Sequence, residues 1–199
     1  GYTNFSQTLG NAEITYNSAF YNFFAQDDWK VTRRLKLNYG LRYDLYDVPE
    51  GEAGSPFEQG RNFEVDKNNF APRLGFVYSL NEGSRPTVVR GRFGMYYDTV
   101  YLVMYENAIQ GNGTGRYLNV TRTPTQTGAP DFPNTINASP SSLGIAQNAE
   151  VVSSDFKNMY ALHYQAQLEQ ALTNNLSVTL GYIHSNGRMI PVYRQINCR

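Results

Sequence analysis

One segment constrains the fold more than any other. From Leu35 to Leu45 the odd positions read Leu, Leu, Tyr, Leu, Tyr, Leu, and the even positions read Lys, Asn, Gly, Arg, Asp. Side chains alternate across an extended strand, so this segment carries one apolar face and one polar face. Eleven residues at about 3.3 Å each reach about 36 Å, and a tilt near 45° leaves about 25 Å of height. That height matches the apolar band of a transmembrane β-barrel. A half-buried strand in a soluble protein usually has about 5–6 residues, so this one is unusually long.

Five further segments repeat the alternation. The six expected strands lie near 21–31, 35–47, 70–80, 87–98, 158–171 and 176–186. In the first, Tyr21, Phe23, Ala25 and Trp29 share a face that Asp27 interrupts, and Phe24 interrupts the polar face. The segment 158–171 also contains Ala, Leu, Gln and Glu, good helix formers, but its apolar residues fit a period of two better than one of 3.6. The connections run short, long, short, long, short. The long ones, 48–69 and 99–157, are rich in Gly, Pro, Asn, Ser and Thr. Loops of that length are uncommon in compact soluble domains. They suit a barrel with short periplasmic turns and long extracellular loops. The expected fold is all-β: an antiparallel up-and-down meander of about six long strands, an incomplete transmembrane β-barrel. The stretch before residue 20 is weakly patterned, with a strand suggested near Phe5 to Leu9.

Composition narrows the function classes. Lys and Arg number 17, as do Asp and Glu, which argues against nucleic-acid binding. No run of 18 apolar residues offers a transmembrane helix. The chain opens without the basic and apolar pattern of a signal peptide. Gly1 is not a natural start, and the chain reads as an internal piece of something longer. Cys198, the single cysteine, forms no internal disulfide or metal cluster. Tyrosine is abundant at 16 residues. Aromatics favour strands and membrane interfaces.

The motifs carry a family resemblance. FFAQDDWKVTRRLKLNYGLRYD begins at Phe23, NNFAPRLGFVYSL at Asn68, VVRGRFGMYYD at Val88 and YALHYQAQLEQALTNNLSVTLGYIHSNG at Tyr160; RQIN closes the series at Arg194. In this order and spacing they resemble the barrel of TonB-dependent outer-membrane receptors. The similarity is greatest to the subclass with a carboxypeptidase-regulatory-like domain ahead of the plug. The resemblance implies a transporter of the bacterial outer membrane. Its partners would be outer-membrane lipid, the receptor's own plug domain and, through the plug, an inner-membrane energy-coupling complex. It also implies a 22-stranded barrel. Against that pattern this chain shows no plug, no energy-coupling box and no terminal strand ending in an aromatic residue. Six strands cannot close a barrel around a plug, and their edges would be exposed.

The polar face supplies the candidate site. Arg42, Arg73, Arg90 and Arg92 fall on it, with Asp44, His163, Gln165 and Gln167. They are expected to face the lumen and to contact substrate or plug, against the plainer reading of ion pairing with Asp44, Asp98 or plug carboxylates. Trp29, Tyr43, Tyr97 and Tyr182 are expected as interfacial aromatics, with Tyr39 and Tyr164 in the girdle or against lipid. Asp27 and Asp28 read as a solvated rim. His163 and His184 have no partner at a metal-ligand spacing, so no metal is expected. Gly91-Arg92-Phe93-Gly94 lacks the lysine of a phosphate loop. The glycine-rich run from Gly111 to Gly115 reads as a flexible loop. Asn119 opens a glycosylation pattern that a bacterial setting makes remote. No nucleophile–base pair emerges, so neither catalytic residues nor a cofactor is expected. Two alternatives remain: a porin-like channel or enzyme barrel, and a soluble all-β binding module. The substrate is not legible.

Overall fold

The alternating segment is paired with the strand before it from Lys36 through Leu45. A computed structural model describes residues 1–145 and 149–196. These divide into two units. One consists of Gly1–Ser18, Val48–Glu64 and Tyr101–Phe156; the other of Ala19–Asp47, Val65–Val100 and Lys157–Arg199.

The second unit is a single antiparallel sheet. Its strands are β2 (Ala19–Lys30), β3 (Leu35–Asp47), β4 (Phe70–Ser79), β5 (Thr87–Tyr97), β7 (Tyr160–Thr173) and β8 (Leu176–Arg188). They lie side by side in sequence order, with β2 and β8 at the edges. The meander is therefore as the alternation implies, and the 158–171 segment is strand and not helix. Register keeps the faces aligned across the sheet. Asp28 lies opposite Asn38, Asn38 opposite Gly75, Gly75 opposite Arg92 and Arg92 opposite Gln165. On the other face Tyr39, Leu74, Phe93 and Tyr164 are likewise in line. A slip of one residue would exchange these faces throughout.

Local chemistry sets the short turns. Thr32 Oγ1 accepts hydrogen bonds from the amides of Arg34 (3.1 Å) and Leu35 (3.0 Å), closing the β2–β3 turn. Asn81 Oδ1 accepts from the Thr87 amide at 2.7 Å where β5 begins. Arg34 and Glu82, on these two neighbouring turns, pair at 3.2 Å.

The first unit corrects the expectation of bare loops at 48–69 and 99–157. The strand suggested near Phe5 to Leu9 is β1 (Phe5–Gly10), and it pairs with β6 (Tyr117–Arg122), which the loop reading omits. Leu9, Leu118 and Val120 are buried there, with Ile136, Leu143 and Ile145 packed against them. Two helices also lie in this unit, α1 (Glu58–Arg61) and α2 (Leu102–Gln110), as does a 3₁₀ turn at Pro140–Leu143. Tyr105 of α2 is 1% exposed and meets the Phe63 ring edge-on at 5.1 Å. The run from Gly111 to Gly115 is not a loose loop either. Asn112 is fully buried, its carbonyl accepts from Ser55 Oγ at 2.9 Å, and its Oδ1 accepts from the Thr114 amide at 3.0 Å.

Candidate functional site

The polar face of the sheet gathers most of the charged candidates, and the structure divides them into two kinds. Arg42 and Arg90 are neutralised locally. Arg42 Nε donates to both oxygens of Asp44, at 2.8 and 3.1 Å. The two residues are two apart on β3, so period two alone places them together. Arg90 pairs with Glu169 of β7, whose strand neighbour Gln167 lies directly opposite Arg90. Lys36 and Asp28 form a third pair at 3.0 Å, and Asn38 Nδ2 also donates to Asp28.

Arg73 and Arg92 differ. Among the described residues neither side chain forms an ion pair or a hydrogen bond. The Arg73 guanidinium stacks 4.7 Å above the Tyr96 ring. Tyr96 in turn folds over Gly94, where an added Cβ would meet Tyr96 carbons at 2.6 Å. Gly40 and Gly94 flank Arg73 on either side, and Gly75 lies opposite Arg92. An open groove of about 730 Å³ runs along this face, lined by Asp28, Asn38, Gly40, Arg73, Arg92 and Tyr96 among others.

The remaining polar candidates lie further along the sheet. His163, opposite Gly94, meets the Tyr96 ring edge-on at 5.0 Å. Gln165 lies opposite Arg92, and Gln167 covers Gly181 at 3.5 Å from where a Cβ would stand. His184 falls on the other face, against Tyr164 at 6.0 Å. No group of three His, Cys, Asp or Glu among the described residues could hold a metal. Cys198 and Asn197, the last residue of the closing RQIN, lie outside the described residues.

A second cluster was not legible in sequence. At the end of the sheet where β3 stops and β4 begins, Asp44, Asp66, Asn69 and Asn158 are all buried. Asn69 Nδ2 donates to the carbonyls of Asp44 (3.0 Å) and Asp66 (2.8 Å). Asn69 Oδ1 accepts from Asn158 Nδ2 at 3.2 Å, and Asp66 Oδ2 accepts from the Asn158 amide at 2.9 Å. Lys157 Nζ lies 3.6 Å from the other Asp66 oxygen. This knot fastens the residues that enter β4 and β7. Its four polar side chains come from three separate stretches of the chain, so no local pattern signals it.

The opposite face is apolar and open. Phe23, Leu41, Leu74, Leu180 and Tyr182 are all about half or more exposed. Aromatic rings pair along it: Tyr43 with Phe70 at 4.8 Å, Phe93 with Tyr164 at 5.2 Å and Tyr97 with Tyr160 at 5.4 Å. Tyr43 and Tyr97 stand near one end of their strands, Trp29 near the turn at the other, and Tyr182 midway along β8. Asp27 is the exception on this face, and its carboxylate accepts from Tyr39 Oη at 3.1 Å.

An antiparallel meander with a continuous apolar exterior and a charged interior is the wall of a membrane-spanning barrel. No helix among the described residues is long and apolar enough to cross a membrane; the crossing elements are strands. The family model for the outer membrane beta barrel domain matches residues 1–199, and the chain belongs to that family, in the bacterial outer membrane. It is also similar to the TonB-dependent transporter Oar of Myxococcus xanthus, at 28% identity over 109 residues. That stretch covers 55% of this chain and 9% of the relative. No solved structure matches.

Proposed function

We propose that this chain forms part of the barrel wall of an energy-coupled receptor that takes up a scarce substrate across the outer membrane. The observation that carries the reading is the division of one sheet into an apolar exterior and a charge-bearing interior, aligned across six strands. The similarity to a TonB-dependent transporter supports it. In this reading the outer face, with Leu37, Leu41, Leu74, Phe76, Phe93, Leu162 and Leu180, meets lipid. The inner face meets the receptor's plug domain, through which an inner-membrane complex supplies energy. The segments 48–69 and 99–157 stand outside the cell and capture substrate. The edges of β2 and β8 are continued by further strands, since unpaired edges invite aggregation. The chain catalyses no reaction.

The test places single cysteines at Leu41 and Arg42 of the full-length receptor, with Cys198 replaced, refolded into lipid vesicles. An environment-sensitive dye at position 41 is expected to be blue-shifted and quenched from lipid; at position 42 it is expected to be quenched from water. Equal signals at both positions, or folding without lipid, refute the wall. Uptake that persists after the inner-membrane energy supply is abolished would refute energy coupling and leave a porin-like channel.

A further inference from the structure

The inner face is not uniformly balanced in charge, and the imbalance is local. Arg42, Arg90 and Lys36 each have a carboxylate within ion-pair distance. Arg73 and Arg92 have none among the described residues, yet they occupy neighbouring strands of one face. Arg73 lies opposite Gly94, two residues from Arg92, so the two are diagonal neighbours. Diagonal positions are about 7–8 Å apart, within reach of long side chains. Both side chains are exposed in the open groove, so the two like charges repel only through solvent and no carboxylate offsets them there.

Their surroundings suit a ligand and not a packed core. Glycines at 40, 75 and 94 let Gln26, Asn38 and Tyr96 lie close against the strands beside the two arginines, which keeps that stretch of the groove floor low. The Tyr96 ring supports the Arg73 guanidinium from one side at 4.7 Å. Stacking of this kind uses the flat face of the guanidinium and leaves its N–H edge directed outward. That edge is a planar fork matched to two oxygens of one oxyanion. Asp28, the acidic residue of the groove on this face, is already engaged by Lys36 and Asn38.

We propose that Arg73 and Arg92, with Tyr96 as a wall, form a seat for an oxyanion, a carboxylate or phosphate. This deepens the lumen reading of the face and rests on it. Such a group could be carried by the plug or by a free solute, and the two sources separate experimentally. The full-length receptor in lipid vesicles is compared with Arg73→Gln, Arg92→Gln, the double variant and Arg73→Lys, with Arg33→Gln in the β2–β3 turn as control. Citrate and inorganic phosphate are titrated at constant ionic strength while thermal unfolding and protease cleavage of the plug are followed.

A free solute predicts that either anion raises the wild-type unfolding temperature. Half-saturation then moves about tenfold higher in each single variant, Arg73→Lys included because it loses the fork, and the response is absent in the double variant. A plug carboxylate predicts no response to either anion. In that case plug cleavage is several-fold faster in the Gln variants than in wild type or Arg33→Gln. Wild type, double variant and control behaving alike in both assays overturns the seat. Dye-labelled cysteines at 73 and 92 separate this from failure of the wall: quenching from lipid at those positions refutes the wall itself, whereas quenching from water with no effect of the variants refutes the seat alone.

Discussion

Asn69 is the residue whose loss should be felt most in the sheet unit. It is fully buried, and its side chain satisfies three partners: the carbonyls of Asp44 and Asp66 and the side-chain amide of Asn158. Asn69→Ala deletes three hydrogen bonds, each worth about 1 kcal/mol net, and strands two carbonyls and an amide away from solvent. The expected loss is about 3 kcal/mol, reaching about 5 if water does not enter the space. Asn69→Asp has nearly the same shape but no donors, and it sets a carboxylate beside Asp44 and Asp66. It should cost at least as much as alanine. The assay is equilibrium unfolding in urea of the full-length receptor refolded into lipid vesicles, with the slope checked for constancy. A loss below about 1 kcal/mol for alanine, or aspartate milder than alanine, would show that packing and not hydrogen bonding holds this end of the sheet.

Two further substitutions test the faces of the sheet. Leu41→Arg puts a charge on the lipid side and should cost roughly 2–4 kcal/mol near the midplane. Asn38→Asp on the inner side sits beside Lys36 as well as Asp28 and should cost less than about 1 kcal/mol; comparable losses in the same titration would contradict the assignment. Gly91→Ala drives a Cβ into the Phe76 ring, which lies across Gly91 from the neighbouring strand. The ring must swing away, at about 1–3 kcal/mol. In a Phe76→Ala background the Gly91 penalty should vanish, and additive losses in the double-mutant cycle would refute the contact.

How much of this was legible follows from how far each signal reaches along the chain. The faces of β3 were readable residue by residue, because period two needs no partner to be seen. β2 was harder, since Asp27 sits on the apolar side and Phe24 on the polar one; only the register reveals that Tyr39 lies opposite Asp27 and bonds it. The strand β6 shows why the first unit stayed hidden. Leu118 and Val120 alternate with Asn119 and Thr121, but six residues are too few to stand out from a polar loop. Its partner β1 lies more than a hundred positions earlier, as the Thr8–Asn119 hydrogen bond records.

The candidate site divides along the same line. That Arg42 is spent on Asp44 follows from a spacing of two within one strand. That Arg90 is spent on Glu169 requires β5 to pair with β7 across the whole 99–157 segment, in one register out of many. Four arginines on one face therefore look equivalent in sequence and are not equivalent once paired. Among the described residues the two left without a carboxylate each lie opposite a glycine, and a glycine at 40, 75 or 94 gains meaning only when the strand beside it is known. Aligned faces come from short-range patterning, whereas the free charge on a face comes from long-range register.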